Sequence, residues 1–275
     1  MTNWFTTFRP VAHPRLRLFC FPYAGGNITV FRDWPAGLLP DVELWTVQLP
    51  GRGSRFREPL LTAMPPLVQT LAEVFPLDTP YALLGCSLGA ALAFELAREL
   101  ERRYGSRPEH FFALACIAPH LRPEHPPRHT LPNDQLLTQL RQYNGIPQEL
   151  LAHQEMLNLL LPILRADLTI YETYQYHPHF QLSCNLTAIG GLNDPLVSPQ
   201  ALAAWQPHTH YTFSHHLLPG DHFFIHPSRS ALLTLINNGL SSSDSQVENG
   251  GFAASSSSAI RHSSFTRSYH AQRRI

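Results

Sequence analysis

Short, continuously apolar runs alternate with amphipathic ones along most of the chain. RLRLFCF (15–21), VELWTVQL (42–49), YALLG (81–85), HFFALACIA (110–118), QLSCNLTAIGG (181–191) and HYTFSHHLL (210–218) have the length and composition of strands. Between them, PPLVQTLAEVF (65–75), LGAALAFELARELERRY (88–104), SPQALAAWQ (198–206) and SRSALLTLINNGL (228–240) have helical spacing. In 88–104 the apolar stripe is Leu92, Leu96 and Leu100, and the charged residues gather toward the end. The prolines opening 65–75 suit a first helical turn. ITVFRDWPAGL (28–38) is expected to be a helix as well, with Asn27 as its cap. Strand–helix alternation with apolar strands implies an α/β fold. Its central sheet is mostly parallel and buried on both faces by helices.

The rhythm breaks over residues 119–180. This stretch is Pro-rich at first and then helical, through DQLLTQLRQYNG and PQELLAHQEMLNLLLPILRADLTIYETYQY, with no convincing strand. Within an alternating chain it reads as an inserted helical lid over the sheet. Residues 1–240 are thus expected to be one α/β domain carrying that insertion. Residues 241–275 are rich in Ser, Gly and Asn with few large apolar side chains, and are expected to be a disordered tail.

Composition narrows the chemistry. All 20 basic residues are Arg, which excludes a Schiff-base lysine, a Ser-Lys dyad and a P-loop lysine. The formal net charge is zero, so nothing global points to nucleic acid or an anionic membrane. No apolar run approaches the length needed to span a bilayer, and the N-terminus does not read as a secretory signal. Cys20, Cys86, Cys116 and Cys184 form no C-x-x-C pair and lie in or beside apolar runs. They read as buried free thiols, and the expected location is the reducing cytoplasm.

The string carrying chemistry is YALLGCSLGAALAFELA. Gly85-Cys-Ser-Leu-Gly89 matches G-x-S-x-G, with an apolar strand before it and a helix after it. That context is a nucleophile elbow, a sharp turn that lifts the Ser87 hydroxyl above the sheet, as in the α/β-hydrolase fold. Serine needs a base, and a group to orient the base. His222 lies in Leu-Pro-Gly-Asp-His, between the last expected strand and the last helix. Loops at strand C-termini are where ligands meet open α/β sheets. Asp194 lies in the loop after 181–191, where it reads either as the orienting acid or as an Asx-turn residue before Pro195. Asp221 adjoins His222, and neighbours in sequence orient one another poorly. A zinc site from the C-terminal histidines rests only on weak H-x-H and H-H pairs, and no metal is expected. The N–H of Leu88 is one candidate oxyanion donor, and Phe21-Pro-Tyr-Ala-Gly-Gly26 offers a second from Tyr23 or Ala24, since Pro22 has none.

The whole pattern resembles the type II thioesterases of nonribosomal peptide and polyketide synthesis. The segments that carry the resemblance are Phe21-Pro-Tyr-Ala-Gly-Gly, Gln48-Leu-Pro-Gly-Arg-Gly-Ser-Arg, Gly85-Cys-Ser-Leu-Gly-Ala, Leu161-Pro-Ile-Leu-Arg-Ala-Asp, Gly191-Leu-Asn-Asp and Gly220-Asp-His-Phe-Phe. They run in family order over about residues 15–240. The family usually has His and often Met where this chain has Cys86 and Leu88, which bears on pocket shape. The resemblance implies a Ser87–His222–Asp194 triad, oxyanion N–H groups from Leu88 and Tyr23, and no cofactor. The implied substrate is an acyl thioester on the phosphopantetheine arm of a carrier protein, cleaved by a monomer. The lid would form the acyl pocket, with Leu160, Leu164 and Tyr171 as candidate lining. Arg52, Arg55 and Arg57 would either meet an acidic carrier or form a solvated cluster. An esterase or lipase, an acyltransferase and a non-catalytic carrier-binding protein are the competing readings.

Overall fold

Each apolar run read as a strand contributes to one sheet. The computed structural model describes residues 4–121, 123, 125–145, 153–178 and 180–241. The strands are β1 (Phe5–Thr6), β2 (Leu16–Phe21), β3 (Val42–Val47), β4 (Tyr81–Cys86), β5 (His110–Leu114), β6 (Asn185–Gly191) and β7 (Phe213–Leu218). Their spatial order is β1-β3-β2-β4-β5-β6-β7. All neighbours from β3 to β7 are parallel, and β1 alone is antiparallel, against β3. β1 was not expected, because two residues carry no alternation to read.

The helices are α1 (Met64–Val74), α2 (Leu88–Tyr104), α3 (Asn133–Gln142), α4 (Gln154–Glu172), α5 (Pro199–Ala203) and α6 (Arg229–Ser241). Successive strand side chains feed two cores. Phe19, Phe21, Leu83, Phe111 and Ala113 pack with Leu67 and Leu71 of α1 and with Leu92, Leu96 and Leu100 of α2. Leu18, Cys20, Leu84, Phe112 and Leu114 face the other way, toward Trp34 and toward Leu232 and Ile236 of α6. Burial on both faces explains why these strands are apolar over most of their length.

The expected helix over 28–38 is instead two short 3₁₀ turns, Ile28–Phe31 and Trp34–Gly37. Asn27 does cap the first, accepting the Thr29 N–H at 2.8 Å. Pro35 has no N–H for the Phe31 carbonyl, and its ring would clash there in a continuous helix. The break lets Phe31 and Trp34 meet edge to face in the core, ring centres 4.9 Å apart.

Between β5 and β6 the described residues hold α3 and α4 and no strand of the sheet. Leu136 and Leu140 of α3 pack with Leu157, Leu161, Leu164 and Leu168 of α4 in a third apolar cluster. The α4 leucines recur every three or four residues, the stripe of an amphipathic helix. Ala24, in the loop after β2, packs against both this cluster and the main core. Among the described residues no helix is long and apolar enough to cross a membrane. All four cysteines are buried and unpaired. Residues 242–275, which hold nearly all of the expected tail, lie outside the described residues.

Candidate active site

β4 ends at Cys86 and α2 starts at Leu88, so Ser87 occupies a one-residue turn. Its backbone lies at φ 54° and ψ −116°, a region that side chains rarely adopt. Such a conformation costs about 1–3 kcal/mol and persists only where the surroundings enforce it. Here the Ser87 N–H donates to the Leu114 carbonyl of β5 at 2.8 Å, and its carbonyl accepts the Ala90 N–H at 2.9 Å. The flanking glycines are steric necessities. A Cβ on Gly85 would stand 2.2 Å from the Gly89 carbonyl oxygen, and one on Gly89 would stand 2.2 Å from the Phe21 carbonyl oxygen. Gly89 therefore lets the end of β2 close onto the first turn of α2, which brings the loop carrying Tyr23 to the elbow.

Asp194 and His222 come from the loops after β6 and β7. The loops are tied together: Leu192 N–H donates to the Leu218 carbonyl at 2.8 Å, and Asn193 N–H to the Gly220 carbonyl at 2.9 Å. Asp194 Oδ2 lies 2.8 Å from His222 Nδ1, and His222 Nε2 lies 3.2 Å from Ser87 Oγ. Asp194 Oδ1 accepts the N–H groups of Leu196 and Val197 at 2.8 and 3.2 Å. One carboxylate oxygen of Asp194 thus faces the imidazole, and the other closes the turn around Pro195. The side chain is fully buried, and His222 is 7% exposed. Asp221 turns away from the imidazole, accepting from the Asn144 side chain and from its own loop at Phe223 N–H.

Leu88 opens α2, where N–H groups have no partner within the helix, so its amide is free of the helical ladder. Tyr23 is held by its ring, which meets Phe223 edge to face at 5.0 Å, while its hydroxyl lies 3.1 Å from His226 Nε2. A cavity of about 290 Å³ is lined by Ala91, Cys116, Tyr171, Tyr174 and Trp205 among others, placing Tyr171 on its wall. Leu160 and Leu164 sit elsewhere, over Gly25. Cys86 is buried beside the elbow, and burial pushes its thiol well above the ordinary range, so it is a poor thiolate nucleophile. Burial likewise pushes Cys116 up to about 12. Among the described residues no group of three His, Cys, Asp or Glu side chains is placed to hold a metal ion.

Two arginines are not where either sequence reading put them. Arg52 and Arg55 are 5% and 4% exposed, neither solvated nor open to a partner, whereas Arg57 is exposed. Arg55 pairs with Glu58 and lies over the Trp4 ring at 3.6 Å. Arg52 pairs with Asp167 of α4, which also accepts the Gly25 N–H. This pair was missed, although a signal existed. Asp167 follows Leu164 by three residues and precedes Leu168, so it is an acid on an apolar helical stripe.

The arrangement can do acyl transfer: a hydroxyl beside an imidazole whose far nitrogen is fixed by a buried carboxylate. The model of the thioesterase domain matches residues 16–239. The chain is 42% identical over 246 residues to linear gramicidin dehydrogenase LgrE of Brevibacillus parabrevis, covering 88% of this chain and 94% of that one. RedJ, a thioesterase from the prodiginine biosynthetic pathway in Streptomyces coelicolor, is 40% identical, with a TM-score of 0.78 over 84% of this chain and 91% of RedJ. The type II thioesterase BorB from the borrelidin biosynthetic cluster is 33% identical, with a TM-score of 0.80 over 86% of this chain and 97% of BorB. A strained serine between two obligatory glycines, a buried acid–imidazole pair against it and this breadth of matched sequence have one explanation: the chain belongs to the thioesterase domain family.

Proposed function

We propose that this protein is a stand-alone type II thioesterase that hydrolyses acyl groups from the phosphopantetheine arm of carrier proteins in nonribosomal peptide or polyketide assembly, clearing aberrant or stalled chains. The observation that carries the proposal is His222, within hydrogen-bonding distance of both Ser87 and Asp194. Family membership supports the substrate class, as does the likeness to RedJ of the prodiginine pathway and BorB of the borrelidin cluster. The name of LgrE speaks of hydride transfer, which uses no serine nucleophile. The Ser87 geometry favours acyl transfer.

In this mechanism Asp194 holds the imidazole with its proton on Nδ1, leaving Nε2 to accept the Ser87 proton. Ser87 Oγ attacks the thioester carbonyl, and the developing oxyanion takes the N–H groups of Leu88 and Tyr23. The C–S bond breaks, and pantetheine leaves as a thiol with the proton held by His222. Water then gives a proton to His222 and attacks the acyl-serine; the bond between the acyl carbon and Ser87 Oγ breaks, His222 returns the proton to that oxygen, and the acid is released. The protein's partner is thus an acyl or peptidyl carrier domain.

The test is mass spectrometry of a panel of acyl-loaded carriers, with and without the protein, beside turnover of a p-nitrophenyl ester. Loss of acyl mass from carriers at far higher efficiency than from the free ester supports the proposal. Efficient cleavage of free esters alone would assign a general esterase. Unchanged carrier cleavage by Ser87→Ala would remove the nucleophile assignment.

A further inference from the structure

The Phe21–Gly26 loop is not held mainly by its own contacts. Asp167 Oδ2 accepts the Gly25 N–H at 2.7 Å and Arg52 Nη1 at 2.6 Å, and Asp167 Oδ1 accepts Arg52 Nη2 at 2.6 Å. The same Arg52 Nη1 donates to the Gly26 carbonyl at 3.0 Å. Gly26 N–H returns to the Tyr23 carbonyl at 2.9 Å, closing a tight turn directly after the candidate donor. Gly25 lies at φ +77°, and a Cβ there would stand 3.3 Å from Leu164 and 3.7 Å from Leu160. One ion pair and two α4 leucines therefore fix the loop within three residues of Tyr23.

Both charged side chains are buried, at 6% and 2% exposure. A buried ion pair is a weak source of stability, because desolvation offsets most of the attraction. What this pair does supply is geometry: a bidentate fork and a carboxylate that also grips the loop backbone. We propose that Arg52 and Asp167 are positioning residues for the oxyanion donor at Tyr23. Because Asp167 rides on α4, the donor is set only when α4 is seated on the loop, and seating the helix completes the site. The inference rests on the reading that the Tyr23 and Leu88 N–H groups receive the oxyanion of a Ser87 adduct.

The test separates transition-state from ground-state binding. Three proteins are compared: wild type, Asp167→Asn, and the apolar double variant Arg52→Met with Asp167→Leu, designed to remove both charges so that neither is left buried alone. The substrate is an acyl-pantetheine thioester. Two probes share its acyl chain: a trifluoromethyl ketone, which forms a tetrahedral oxyanion on Ser87, and the unreactive pantetheine amide. A misplaced donor costs roughly 10- to 100-fold. The double variant is expected to stay folded, with a melting temperature lowered only as far as the Gly25 N–H and Gly26 carbonyl lose their partners, and to keep KM and amide affinity while losing that factor in kcat and in ketone affinity. Asp167→Asn is expected to show the same split at a lower melting temperature. Wild-type kcat and ketone affinity in a folded double variant would overturn the positioning role, as would equal losses for ketone and amide. Failure of the wild type to bind the ketone would instead sink the oxyanion reading itself, and the inference with it.

Discussion

Asp194→Asn is nearly isosteric, and its outcome can be worked from the hydrogen bonds. In the wild type, Oδ1 faces two donors, Leu196 N–H and Val197 N–H, and Oδ2 faces His222 Nδ1. An asparagine must put its oxygen toward the two amides, because an NH₂ there would oppose two N–H groups at 2.8 and 3.2 Å. Its NH₂ then points at Nδ1 and forces that nitrogen to accept. The imidazole proton moves to Nε2, 3.2 Å from Ser87 Oγ, and the base is lost. The same exchange in a serine-protease triad lowers kcat about 10⁴-fold, equivalent to ~5.5 kcal/mol of barrier. Stability should change little, since the two backbone donors keep an acceptor. The assay is kcat on an acyl-pantetheine thioester by acid release, with a thermal melt of the same sample. A variant within tenfold of wild type, with an unchanged melt, would refute the orienting role of Asp194.

Other consequences are equally direct. Gly89→Ala puts a methyl 2.2 Å from the Phe21 carbonyl, with backbone on both sides. It should cost on the order of 4 kcal/mol or more and lower the melting temperature by roughly 10 °C, read by calorimetry. His110 is buried, stacked on Phe112 at 4.1 Å, and burial holds its pKa at about 4, below the ordinary 6.5. Between pH 6.5 and 4 the unfolded chain binds a proton that the folded one excludes, so stability falls as pH falls through that window, by on the order of 3 kcal/mol from this residue. Urea melts of His110→Gln should show a flatter pH dependence there. The four cysteines should resist iodoacetamide at pH 8 in the native protein and all react in urea, because the thiolate is the reactive form and burial suppresses it.

Much of this architecture was legible because its signals are local. Strands covered on both faces must be apolar over most of their length, and β2, β4 and β5 are, with Arg17 and His110 as polar residues near the N-terminal ends of β2 and β5. The elbow announces itself because Gly85 and Gly89 flank Ser87 at fixed spacing with no room for a Cβ. The loops that bring Asp194 and His222 together were readable because each follows a recognisable strand. Non-local features were not legible. Arg52 and Asp167 stand 115 residues apart, so nothing near Arg52 told a paired, buried guanidinium from a solvated one. The segment 28–38 failed because its apolar spacing suited a helix while Pro35 forbade one, and the backbone constraint won. β1 is too short to declare itself.

Acyl-enzyme trapping bears most directly on the whole account. Protein mixed with an acyl-pantetheine thioester is quenched in acid within milliseconds to seconds, and intact and peptide masses are read. The account requires one acyl increment, mapped to the peptide carrying Ser87 and absent from Ser87→Ala. An acyl group on Cys86, or full thioester cleavage by Ser87→Ala with no adduct on the wild type, would contradict it.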